Sequence, residues 1–194
     1  MKYLVALLAV LLLAGCASTP APRSSQTAAA LSAWQLNGRV SLTRGEEGWH
    51  ASLRWQEQAD RYFLKISGPL GQGGFQLNGD DSGVVLVDAD GKTFAARNAD
   101  ALLQQVTGWQ LPVMGLRYWI RGLAAPAAGE AQTRRDEFGR LSQLTQSGWT
   151  VKYNRYQSVN GIMLPDKLQL LHGDISVRIV VDKWELGAVT ARLP

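Results

Sequence analysis

The chain has 194 residues, 46% of them hydrophobic, with 20 basic and 16 acidic residues, one cysteine and two histidines. A lone cysteine excludes an intrachain disulfide, two histidines without ligand spacing argue against a metal centre, and a net charge of +4 with no basic run argues against nucleic acid as a partner. The length suits one domain with a sizeable core plus a short appendage.

The appendage lies at the N-terminus, MKYLVALLAVLLLAGCAS, with Lys2, an apolar run from Leu4 to Leu13, and then Leu13-Ala14-Gly15-Cys16. The run suits the core of a signal peptide and is too short to span a bilayer. Leu-Ala-Gly-Cys is similar to a bacterial lipobox, in which cleavage precedes the cysteine and acyl chains are added to its thiol and new amine. Residues 1–15 are therefore expected to be a removed signal peptide, and Cys16 the lipidated first residue. Two or more acyl chains anchor stably where one does not. Ala17 follows the cysteine, a place where lipoproteins kept at the inner membrane often carry Asp, so the expected address is the outer membrane, on its periplasmic face. Residues 16–31 are rich in Pro, Ser and Ala without a periodic apolar face and read as a flexible tether. Losing Lys2 leaves 19 basic against 16 acidic residues, a net charge of +3 that a solvated surface carries easily and that leaves room for weak attraction to anionic lipid or an acidic partner.

Residues 32–194 read as one domain. Trp34, Leu36, Gly38, Val40 and Leu42 alternate with Gln35, Asn37, Arg39 and Ser41, and Trp49, Ala51, Leu53 and Trp55 alternate with His50, Ser52, Arg54 and Gln56. Strict alternation marks half-buried strands of an antiparallel sheet. Further strands are expected at 61–67, 73–78, 83–88 and 92–96. In ISGPLGQGG, residues 66–74, Leu70 stands among glycines and Pro69, which break regular structure and place it at a loop tip. The period then changes: Ala99, Leu102, Leu103 and Val106 follow Asn98, a suitable N-cap, and Leu116, Trp119, Ile120 and Leu123 repeat the spacing after Pro112, predicting two short amphipathic helices. Strand signals return at 133–138, 140–146, 149–156, 167–172 and 175–184.

About eleven strands cannot stay flat, and two short helices cover only part of their apolar face. The expected fold is mainly β (α+β): a curled antiparallel sheet forming an incompletely closed barrel, with the two helices as lid or plug. Enzymatic chemistry is not expected. His50 lies on a polar strand face and His172 in a turn, G-x-S-x-G is absent, Glu46-Glu47 and Asp80-Asp81 are adjacent pairs in turns, and Gly71-Gln72-Gly73-Gly74 lies between strands rather than before a helix. No cofactor and no metal is expected.

A series of short motifs runs in order along nearly the whole mature chain: the lipobox, the tether, Trp55-Gln56, Asp60-Arg61-Tyr62, Ser67-Gly68-Pro69-Leu70-Gly71, Val87-Asp88 with Gly91, Leu103 with Thr107-Gly108, Leu111-Pro112-Val113, Leu116-Arg117-Tyr118-Trp119-Ile120 with Gly122-Leu123, and Trp149-Thr150-Val151. In this order they resemble the LolB family of outer-membrane lipoprotein receptors. The resemblance implies an unclosed barrel with a helical lid, a hydrophobic cavity for acyl chains, a periplasmic carrier, LolA, as donor, and a protruding loop (Pro69, Leu70, Gly71) that helps insert lipid into the outer membrane.

Three acyl chains with about 45 methylenes, at roughly 0.8 kcal/mol each, would cost on the order of 35 kcal/mol in water. They must therefore pass from cavity to cavity. The alternating faces and the helix stripe make Trp55, Leu64, Ile66, Leu103, Trp119 and Ile120 the expected cavity lining, in a protein expected to be monomeric. The rival reading is a structural outer-membrane lipoprotein that scaffolds envelope assembly. A dry, filled sheet interior favours the scaffold, and an empty apolar cavity favours the receptor.

Overall fold

A computed structural model describes residues 27–69 and 73–187. Cys16, Leu70 and Gly71, the signal segment and most of the tether lie outside the described residues. Eleven strands form one antiparallel sheet: β1 (Ala33–Arg44), β2 (Glu47–Gln58), β3 (Arg61–Ser67), β4 (Gly74–Gly79), β5 (Val84–Asp88), β6 (Thr93–Ala96), β7 (Gln132–Arg135), β8 (Leu141–Gln146), β9 (Trp149–Val159), β10 (Ile162–His172) and β11 (Ile175–Leu186). The order across the sheet is β6-β5-β4-β3-β2-β1-β11-β10-β9-β8-β7. Two meanders thus meet where the first strand pairs with the last, and among the described residues β6 and β7 are unpaired edges. The sheet is not closed.

The alternation in the sequence becomes two faces. Trp34, Leu36 and Val40 of β1 and Ala51, Leu53 and Trp55 of β2 are buried on the inner face, while Arg39, His50, Ser52 and Arg54 are exposed on the outer one. Each fully buried Leu, Ile or Val side chain contributes roughly 1.5–3 kcal/mol, so the inner face dominates stability. The seam between the two meanders is close: β1 is irregular between Asn37 and Gly38, and a Cβ on Gly38 would sit 2.3 Å from the Val180 carbonyl oxygen. Only glycine fits there.

Helices α1 (Ala99–Thr107) and α2 (Val113–Trp119) link the two meanders and pack on the inner face. The Asn98 side chain accepts the Ala101 N–H at 2.8 Å, and Gly108 ends α1 in a left-handed turn, as the N-cap and C-cap rules require. The second helix is shorter than its apolar stripe: Ile120 is its C-cap, and Leu123 lies in the turn that Gly122 closes at φ 78°. Strand β10 begins at Ile162, five residues before the expected 167. Pro165, which lacks a donor N–H, is absorbed at an irregularity between Pro165 and Lys167, and its carbonyl accepts the Trp184 Nε1–H at 3.0 Å. The last residues of the expected tether are also built into the body. Ala28–Ala30 form a short 3-10 turn, Leu31 is buried, and Arg121 donates to the carbonyls of Ala28 and Leu31 at 3.2 and 3.1 Å.

Candidate functional site

The inner face is an apolar trough filled by its own helices. All six residues expected to line a cavity lie in one buried cluster: Trp55, Leu103, Trp119 and Ile120 are fully buried, and Leu64 and Ile66 are nearly so at 3% and 4% exposure. Trp55 and Leu64 are direct partners across β2 and β3, as are Leu53 and Ile66, so the strand residues form one continuous patch, and Leu103, Trp119 and Ile120 come from the helical connection. The structure thus brings the six together in one packed cluster, with Trp119 also bordering an opening beside α2.

Polar contacts, absent from the apolar stripes, hold the helices in place. Arg117 of α2 pairs with Glu57 of β2, its Nε donating to Oε1 at 2.6 Å, and a second guanidinium nitrogen reaches the Asp60 carbonyl at 3.2 Å. Burial pushes the Glu57 carboxyl above its ordinary range, and Arg117 and Arg121 pull it back only in part. The Tyr62 ring lies 4.8 Å from the Arg117 guanidinium, and burial pushes its phenol up to about 12. At the other end of α2, Gln146 of β8 acts as a four-bond clamp. Its Oε1 accepts the Trp119 indole N–H and the Ala125 N–H, both at 2.9 Å, while its Nε2 donates to the Ala125 and Gly129 carbonyls at 2.8 Å. Gly115 leaves room for this indole, since a Cβ there would meet Trp119 at 2.9 Å. Asp100 of α1 accepts the Met114 N–H at 3.2 Å and so caps α2.

Two openings flank the plug. A cavity of about 310 Å³ beside α2 is lined by Pro112, Met114, Tyr118, Trp119 and Ala125. The other lies at the end of the sheet that carries the β1–β2 turn and the β3–β4 loop. There Trp49 and Trp109 pack edge to face at 4.4 Å, Phe75 packs on Trp109 at 6.1 Å, and a groove of about 440 Å³ runs along Leu42, Trp49 and Trp109. Trp109 is placed by Thr107, whose hydroxyl donates to the Leu103 carbonyl at 2.7 Å and accepts the Trp109 N–H at 3.1 Å.

The base of the Pro-Leu-Gly loop stands at this same end. The Gly68 N–H donates to the Gly73 carbonyl at 3.3 Å and pinches the loop, leaving Pro69 exposed. Gly74 is held at φ 117°, where a Cβ would come within 2.2 Å of the Ile66 carbonyl oxygen. Of the histidines, His50 is exposed as expected, whereas His172 is half-buried, stacked on Trp149 at 5.0 Å with Nδ1 3.0 Å from the Gly148 carbonyl. Among the described residues no cluster of three or more His, Cys, Asp or Glu stands in metal-binding reach, and no helix is long and apolar enough to cross a membrane.

Residues 32–184 match the family model described as "LolB: Outer membrane lipoprotein LolB". Among curated relatives, an outer-membrane lipoprotein LolB from Nitrosococcus oceani is 36% identical, covering 94% of this chain and 96% of the relative. One from Chromohalobacter salexigens is 37% identical, covering 93% and 88%. Among solved structures, a LolA superfamily protein from Nitrosomonas europaea has a similar fold, with TM-score 0.55 at 9% identity over 82% of this chain and 88% of that one. A DUF1329 family protein from Desulfovibrio piger gives TM-score 0.58 at 7% identity over 84% and 89%.

Proposed function

The chain belongs to the LolB family of outer-membrane lipoproteins, and from that premise we propose that it takes lipoproteins from a periplasmic carrier, LolA, holds their acyl chains on the inner face of its sheet and releases them into the outer membrane. The observation that carries this reading is an unclosed antiparallel sheet whose apolar face packs against two short helices, themselves held by a small set of polar contacts. A plug of that kind can be exchanged for acyl chains, because the apolar surface it uncovers is the surface the chains then cover. In this reading Trp55, Leu64, Ile66, Leu103, Trp119 and Ile120 are shared between two occupants, helices in the empty state and hydrocarbon in the loaded one. The filled trough is the empty receptor rather than a scaffold core.

The relay needs no nucleotide if each acceptor binds more tightly than its donor. Transfer therefore tests the reading. When the protein is mixed with a lipidated protein held by the LolA carrier, the lipidated protein is expected to co-purify with this chain without ATP. Its retention on the carrier at equilibrium overturns the proposal.

Anchoring is separable from binding. Cys16→Ala is expected to prevent acylation and release the domain into the periplasm with its fold intact, since the sheet begins at Ala33 and the core contacts begin at Ala28. Fractionation checks this: a Cys16→Ala protein that still pellets with outer membrane and resists high salt would show that the anchor is not the lipid.

A further inference from the structure

We propose that the outer face of the sheet, beside the 68–74 loop, is a binding site for the phosphate groups of membrane phospholipids. A groove of about 570 Å³ lies there, lined among others by Arg39, His50, Ser52, Pro69, Arg178 and Val180. Strand register explains how it arises. One row across the sheet runs Lys152, Gln169, Arg178, Ser41, His50, and the next runs Lys167, Val180, Arg39, Ser52, Ser67. These two rows bring Lys152, Lys167, Arg39, Arg178 and His50 together and contain no carboxylate.

An acid beside these rows, Asp182, is engaged by Arg39 from Nε and Nη2 at 3.2 and 2.7 Å. That pair fixes the Arg39 guanidinium and offsets its charge. Arg178 makes no ion pair among the described residues, and both it and His50 are exposed. The groove therefore offers at least one uncompensated guanidinium, a second held in position, hydroxyls, and the apolar Val180 and Pro69. A phosphodiester with an adjoining glycerol has the matching charge and mixed polarity.

The occupant is a lipid at the bilayer surface rather than an acidic protein because of the walls. Pro69 forms one of them, so the groove opens beside the loop that the proposed function turns toward the membrane. The proposal rests on that reading. Lipid phosphate here would hold the loop-bearing end against the headgroup layer while the loop acts below it.

The test uses the mature chain with Cys16→Ala, so that the anchor does not mask weaker binding, on vesicles of phosphatidylethanolamine with about one quarter phosphatidylglycerol. Arg178→Gln is expected to lower the partition coefficient about fivefold, and Arg39→Gln/Arg178→Gln further, whereas Arg61→Gln at the opposite end of β3 should change it less than about twofold. Equal losses from Arg61→Gln and Arg178→Gln would reduce the effect to net charge and overturn the site, as would binding that no variant weakens. Displacement from vesicles by inorganic phosphate at matched ionic strength would mark a free-anion site and overturn the lipid assignment. If Arg178→Gln leaves vesicle binding intact but slows uptake from the carrier, the groove contacts protein and the proposal fails. A parent protein that delivers lipoproteins normally while the variants bind vesicles unchanged sinks the groove alone. A parent that neither binds vesicles nor delivers sinks the proposed function.

Discussion

Arg117→Met is expected to destabilise the fold by about 3–5 kcal/mol near neutral pH, and by progressively less as the pH falls, because it strands a buried carboxylate. Glu57 and Arg117 are nearly enclosed, at 8% and 10% side-chain exposure, so solvent screens their contact little. Methionine keeps an apolar stem beside Tyr62 and removes the charge and its donors. The pH dependence follows from the direction of the Glu57 shift. Its folded-state pKa is raised above the ordinary 4.5, so between that value and the folded pKa the folded chain binds more protons than the unfolded one. Stability therefore falls as pH rises through this window. Removing Arg117 takes away the largest effect pulling the carboxyl back, which widens the window upward. Urea unfolding across pH measures it: the penalty should grow as pH rises above the ordinary carboxylate range, and Glu57→Gln combined with Arg117→Met should recover most of the loss. A penalty that is the same at acid and neutral pH would mean that Arg117 acts through packing alone.

The contrast between strands and latches explains what the sequence could reveal. Period-two alternation in WQLNGRVSL and WHASLRWQ forecasts β1 and β2, because one face of each meets hydrocarbon and the other water. Asn98 and the spacing of Ala99, Leu102, Leu103 and Val106 forecast α1, since the cap and the stripe are both local. The unclosed order of eleven strands agrees with the expectation, yet the pairing of β1 with β11 joins residues more than a hundred positions apart and leaves no local trace. Glu57 did leave a signal: it falls in the inward phase of Trp49, Ala51, Leu53 and Trp55, where a carboxylate requires a partner. Arg117, next to Leu116 on a mostly apolar helix, is the complementary signal. Neither signal identifies its partner, because a pair forms across space rather than along the chain. The roles of Gln146 and Trp109 are illegible in the sequence for the same reason. Whether the trough was empty or filled was also beyond local patterning, since the same alternating faces serve both, and the filled trough taken by itself fits a scaffold. Family membership separates the two.

Leu70→Glu is expected to slow delivery of a bound lipoprotein into the bilayer about thirtyfold while leaving uptake from the carrier within about twofold. Leu70 lies outside the described residues, but its frame does not: the Gly68–Gly73 hydrogen bond pinches the loop base, Pro69 is exposed, and Gly74 holds a backbone angle that a side chain would strain. A leucine carried between these points can enter the lipid surface, where its burial contributes roughly 1.5–3 kcal/mol. That is too little to hold a protein at a membrane, a task that the acyl chains proposed for Cys16 would meet. It is enough to orient the loop-bearing end, with its Trp49 and Trp109 groove, toward the bilayer at the moment the acyl chains leave. Glutamate forfeits this gain, and about 2 kcal/mol corresponds to the thirtyfold. Because a backbone hydrogen bond between Gly68 and Gly73 pinches the loop base, folding should be unaffected. Uptake and delivery must be timed separately, the second with preloaded protein. If Leu70→Glu blocks uptake while the preloaded variant delivers at the parent rate, the loop docks the carrier and its role as a membrane wedge is wrong.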